Sequence, residues 1–211
     1  MPADSLESIA LDVRGCTKCA LSRTRIVAVP GEGSPEAEVF FIGEGPGFHE
    51  DQQGRPFVGA AGQLLNQMLG LIGLRREDVF ITNVVRCRPP GNRDPLPDEL
   101  AACDEYTGRQ LATLKPLLIV TLGRFSMARF FGRGTMRELH GKTTLWNGIT
   151  CLAMYHPAAI LRDSSPALRH TFEDDFRKIP VLLEEARRRA APQPSPGEPE
   201  PAERVDQLRL F

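Results

Sequence analysis

The chain has 211 residues, 41% of them apolar and 25% charged, with 26 Lys+Arg against 27 Asp+Glu and a net charge of −1. That is the make-up of a globular domain with a sizeable core. It argues against a nucleic-acid binder that relies on overall positive charge, and no apolar run approaches the ~20 residues that span a bilayer.

The N-terminus, MPADSLESIA, carries acids and no basic stretch. It does not read as a secretory signal, so a cytoplasmic, nucleoid-associated location is expected. The last 21 residues hold two basic and four acidic residues, leaving 24 basic and 23 acidic in positions 1–190. A body at net +1 has room for local basic loops.

In chain order, Leu6, Ile9, Leu11 and Val13 suggest a first helix that leads into Cys16-Thr17-Lys18-Cys19. Two cysteines with two residues between them can hold one metal centre from a tight loop, and a disulfide is disfavoured in the cytoplasm. Val39–Ile42 is a short apolar, β-branched and aromatic run, expected as a strand buried on both faces. It ends in Gly43-Glu44-Gly45-Pro46-Gly47, a turn that lets a ligand approach the backbone. At the carboxyl end of a parallel strand, this is where α/β sheets place their ligands. Ala60–Leu74 has helical apolar spacing, and Phe57 lies just before it, placed either to cap the helix or to stack on a flat ligand.

Val79–Val85 reads as a second buried strand with Asn83 near its end. A buried amide there is satisfied by backbone, or it reads a base edge with its paired donor and acceptor. Arg86–Arg93 forms a basic, proline-bearing loop. Asp98–Leu114 is a third helix, Leu117–Leu122 a third strand, and Gly132–Gly148 a loop and hairpin in which His140 is expected as a surface turn residue. Ile149–Tyr155 is the fourth strand, followed by His156, and Val181–Ala190 is a closing amphipathic helix. Four buried strands alternating with helices predict a three-layer α/β/α sandwich around a mainly parallel four-stranded sheet. Glu44, Asn83 and His156 then converge, with Phe57, on one rim.

Cys87 and Cys103 are separated by fifteen residues. By spacing alone, four cysteines accommodate zinc as readily as an iron–sulfur cluster. Cys151 is left over and reads as a core thiol. Positions 191–204 are rich in proline and acid and are expected as a solvated linker. Gln207, Leu208, Leu210 and Phe211 at the tip resemble the short peptide with which bacterial repair and replication proteins dock on a sliding clamp.

Taken together, the CxxC pair, GEGPG, GRPFVG, TNVVRCRPP and YHPAAIL resemble the iron–sulfur uracil-DNA glycosylases, family 4 above all, from Cys16 to Leu183. The resemblance implies a monomeric DNA-repair enzyme, residues 1–190, acting on uracil-containing DNA with a [4Fe–4S] cluster on Cys16, Cys19, Cys87 and Cys103. It implies base binding by Gly43, Gly45, Phe57, Glu50, Asn83 and His156, with Asn83 on the uracil edge and His156 on O2. Glu44 would stabilise the sugar cation or position water. Ile160 or Leu161 would wedge into the base stack, with Arg162, Arg88 and Lys142 on DNA.

Cluster-free members of the superfamily carry an Asp and a Tyr where Gly45 and Gly47 stand, so thymine must be excluded otherwise, and Glu50 is nominated for that. The loop Arg86–Pro95 has no His, which argues against the covalent chemistry of one relative. Two alternatives remain at this stage. One is a non-catalytic iron–sulfur or zinc nucleic-acid binder. The other is a family 5-like enzyme of broader base specificity, against which Glu44 argues.

Overall fold

The structure, a computed structural model, describes residues 4–163 and 165–191. All of the linker 191–204 except Ala191, and the tip 205–211, lie outside the described residues.

The chain runs α1 (Leu6–Gly15), β1 (Glu32–Gly33), β2 (Val39–Gly43), α2 (Phe48–Gln53), α3 (Ala60–Leu71), β3 (Phe80–Asn83) and α4 (Pro97–Leu114). It continues through β4 (Leu118–Leu122), α5 (Arg124–Phe131), α6 (Met136–Leu139), β5 (Thr143–Trp146), β6 (Ile149–Met154), α7 (Pro157–Arg162) and α8 (Pro166–Ala190). The sheet has six strands in the order β1-β3-β2-β4-β6-β5. The four inner strands are parallel, and β1 and β5 add antiparallel edges.

The inner four are the strands expected from the sequence, and the sheet is two strands wider than expected. The reason is local. β1 is two residues long and contains a glycine at φ +142, and β5 alternates exposed and half-buried residues rather than forming an apolar run. The loop and hairpin expected over 132–148 also contains the short helix α6. The closing helix starts at Pro166, well before Val181, with a proline in its first turn where no backbone donor is missed.

The strands β2 and β4 are buried at every position, as a sheet covered on both faces requires. On one face Phe41, Val120 and Leu152 pack with Leu65 and Leu69 of α3 and with Phe172 and Phe176 of α8. On the other, Phe40, Ile42 and Ile119 pack with Leu111 of α4 and Phe130 of α5. A third cluster joins Ile9 and Val13 of α1 to Tyr106 of α4 and to Cys87 and Cys103. Strand order reverses about β2: α3 leads to β3 on one side of it, and α4 leads back to β4 on the other. A crevice at such a reversal, beyond the carboxyl ends of the strands, is where open α/β sheets bind ligands.

Candidate active site

At that point lies a cavity of about 250 Å³, walled by Glu44–Gly47, Glu50, Phe57, Asn83 and His156. Sheet register builds it. Gly43 pairs with Asn83 across β2 and β3. A Cβ on Gly43 would stand 2.5 Å from Cζ of Phe57 and 2.6 Å from Oδ1 of Asn83. Only glycine lets the ring and the amide close over the strand end.

Asn83 is 2% exposed, and its Oδ1 has no hydrogen-bond partner among the described residues. A buried acceptor left open costs about 1–3 kcal/mol. In a cavity wall it fits a donor brought by a ligand. Phe57 adopts φ +51, uncommon for a bulky residue, and its ring stacks on that of His156 at 5.5 Å and 27°.

His156 caps α7, its Nδ1 accepting the Ala158 N–H at 3.1 Å. That bond assigns the proton to Nε2. Burial, with Arg162 adding to it, pushes the imidazole pKa down to about 4. At neutral pH His156 is therefore an uncharged ring with one donor free for the pocket.

Glu44 follows β2 and is half-buried. Burial, reinforced by Asp94, raises its pKa above the usual carboxylate value, while Arg124 and Arg162 pull it back. Glu50 ties the glycine turn to the loop that carries Phe57. One of its oxygens accepts the Gly47 N–H at 3.1 Å, and the other accepts the Val58 and Gly59 N–H groups at 2.9 Å each. A Cβ on Gly47 would stand 2.8 Å from Oε2 of Glu50, so this carboxylate occupies the space into which a larger residue at Gly47 would grow.

Residues 30–179 match the sequence profile of the Uracil DNA glycosylase superfamily. The chain belongs to this superfamily. A Type-4 uracil-DNA glycosylase of Sulfurisphaera tokodaii is 49% identical over 85% of this chain and 85% of its own length. The Type-4 enzyme of Archaeoglobus fulgidus is 47% identical, over 85% of this chain and 94% of its own. A Type-5 enzyme of Thermus thermophilus is more distant, 36% identical over 61% of this chain and 68% of its own.

In this superfamily member the four paired cysteines lie in one region. Cys87 and Cys103 are buried and Cys16 and Cys19 partly so, all within the α1–α4 cluster. Burial pushes the Cys87 thiol up to about 11 and raises that of Cys103. Arg25 Nη1 reaches Cys87 Sγ at 3.1 Å, and the positive charge of Arg86 acts against burial at Cys103.

Arg86 is 1% exposed. Burial pushes its pKa down to about 10, and the thiols of Cys103 and Cys87 act against that. Its Nη2 bonds Thr107 at 3.1 Å and Gln110 at 2.8 Å, whereas Nε and Nη1 find no partner among the described residues. A buried cation with open donors beside the thiols of Cys87 and Cys103 fits an anionic centre. Among the described residues no three His, Cys, Asp or Glu side chains stand close enough to hold one metal ion.

The remaining residues expected to contact DNA are placed unevenly. Leu161 is 50% exposed, but Ile160 is 5% exposed and packs in the core with α3 and α8. Ile160 is therefore not available as a wedge, because α7 turns that position inward. Arg162 lines the cavity. Arg88 lies 5.2 Å over the Phe48 ring and bonds Asn92 at 2.7 Å. Lys142 is exposed in the turn beside β6 and does not line the cavity.

His140 is not a free surface residue: its Nδ1 lies 3.0 Å from Asp175 and its ring packs on Tyr155. Sequence reading missed Arg93 and Asn92 in the cavity wall and the Asp94–Arg124 ion pair whose charges act on Glu44. Asn92 and Arg93 lie in the basic, proline-bearing loop from Arg86, which was their only signal, and Arg124 opens α5 after β4.

Proposed function

We propose that this chain is a uracil-DNA glycosylase of Type 4, which flips uracil out of DNA and hydrolyses its N-glycosidic bond at the start of base excision repair. The observation that carries the reading is the open acceptor of Asn83 in one cavity wall with the neutral, donor-bearing His156. Bases in a duplex are inaccessible, so the nucleotide is extruded into the pocket. Phe57 stacks on the ring. Oδ1 of Asn83 accepts N3–H and its NH2 donates to O4, a pairing that cytosine lacks.

As the bond from C1′ to N1 breaks, its electron pair moves into the pyrimidine and negative charge grows on O2. Nε2–H of His156 donates to that oxygen. A fixed donor at a developing oxyanion is worth about 3 kcal/mol. The sugar becomes cationic, and the Glu44 carboxylate stabilises it and positions the water, whose oxygen bonds to C1′ as its proton passes to Glu44. Glu50, standing against Gly47, narrows the pocket where thymine carries its methyl group. Leu161 fills the gap in the base stack and Arg162 meets a phosphate.

Cys16, Cys19, Cys87 and Cys103 would hold a [4Fe–4S] cluster whose contribution is structural, pinning α1 and the arginine loop together. The open donors of Arg86 and the Arg25 donor on Cys87 support an anionic centre there. Gln207, Leu208, Leu210 and Phe211 would tether the enzyme to a sliding clamp. Titration of the clamp with the full chain and with a chain ending at Ala190 tests this, and equal binding by both would refute it.

For the activity, oligonucleotides with U:G, U:A or single-stranded uracil are incubated with the enzyme and cleaved with alkali. Abasic product is expected, and none from any of the three would overturn the assignment.

A further inference from the structure

The left-handed backbone of Phe57 is clamped from outside the pocket. Arg76, in the turn before β3, donates from Nη1 to the Phe57 carbonyl at 3.1 Å and from Nη2 to the Pro56 carbonyl. Nη1 also reaches Asn66 on α3 at 3.3 Å, and Nε bonds Glu32 on β1. Glu32 is held in turn by Arg55 at 2.7 and 3.1 Å.

The Arg76 side chain is only 16% exposed, and neither it nor Glu32 lines the cavity. From the other side, α3 closes in at Gly62, where a Cβ would stand 1.7 Å from the Phe57 carbonyl oxygen. A sparsely populated backbone conformation persists only when its surroundings over-determine it. Here one planar, forked guanidinium takes two successive carbonyls at once, which a point charge such as Lys does not do.

We propose that Arg76, anchored by Glu32, is a positioning residue that sets the Phe57 ring at the angle and depth needed to stack on the flipped base. This inference rests on the reading of Phe57 as the stacking residue. Arg76 touches neither base nor sugar. It acts through the backbone of residues 56 and 57.

The test is a double-mutant cycle read by single-turnover excision and by inhibition with free uracil. Arg76→Met keeps the stem and removes the donors. A modest displacement of a stacking group is expected to lower the rate and weaken uracil inhibition by about ten-fold. Arg76→Lys should recover little of it. In a Phe57→Ala background the same substitution should change neither quantity, because coupled residues are non-additive. In an Asn83→Leu background it should still cost its full factor.

Glu32→Gln, which leaves Arg76 in place but loosens its anchor, should give a smaller loss that also vanishes with Phe57→Ala; it serves if Arg76→Met does not fold. A full loss that persists in the Phe57→Ala background, or no loss with Phe57 present, would overturn the proposal. Phe57→Ala itself at wild-type rate would overturn the stacking reading instead.

Discussion

Asn83→Leu separates binding chemistry from packing. Leucine has nearly the shape of asparagine and neither its donor nor its acceptor. The Oδ1 it removes is buried and has no partner among the described residues, so folding gains no hydrogen bond from them there. The penalty for an unsatisfied buried acceptor, about 1–3 kcal/mol, is relieved by the substitution. The thermal midpoint is therefore expected to stay level or rise.

Excision should move the other way. Both bonds to the uracil edge are lost, and one such bond to a reacting group is worth about 3 kcal/mol, or some two decades in rate. The assay pairs single-turnover excision on a uracil oligonucleotide with thermal unfolding of the same preparation. A variant that unfolds several degrees earlier yet excises at wild-type rate would refute the reasoning, because Asn83 would then be a structural amide.

In the proposed mechanism Glu44 acts as a carboxylate, and its pKa is raised above the ordinary carboxylate value. Activity should therefore fall, as pH is lowered, through a pKa above that range, while His156, with a pKa near 4, remains neutral. In a pH–rate profile Glu44→Gln should be slower and lose this acid limb; an unchanged limb would assign it elsewhere. Purified protein should be yellow-brown with about four irons per chain. Cys87→Ser should lose that colour and destabilise the fold, and Cys151→Ser, at a buried thiol in the β-sheet core, should keep it. Stoichiometric zinc without visible absorbance would contradict the cluster.

Much of the sheet was legible because buried parallel strands are written as unbroken apolar runs. Val39–Ile42 and Leu118–Leu122 could be read as strands from composition alone. The edges were not legible. A two-residue pairing at Glu32–Gly33 has no period to detect, and Thr143–Trp146 is shaped by its partner β6 rather than by its own pattern.

The site divides in the same way. Gly43, Asn83 and His156 each end or follow a legible strand, so their convergence followed from topology. Ile160 and Leu161 could not be told apart, since adjacent residues on a short helix differ only in which way the helix is rolled against α3 and α8. Arg76 was invisible for a different reason: its role lies in two backbone carbonyls twenty and nineteen residues away in sequence, and no side-chain pattern announces such a bond.

The most direct test of the central claim is to identify what leaves the DNA. Duplexes of one sequence carrying uracil, cytosine or thymine at one position are incubated with the enzyme, and the small-molecule fraction is separated from the strand. Free uracil, with an uncut strand holding an abasic site, is predicted from the uracil duplex, and no free base from the other two. Release of cytosine or thymine at a comparable rate, or an intact uracil strand, would contradict the account.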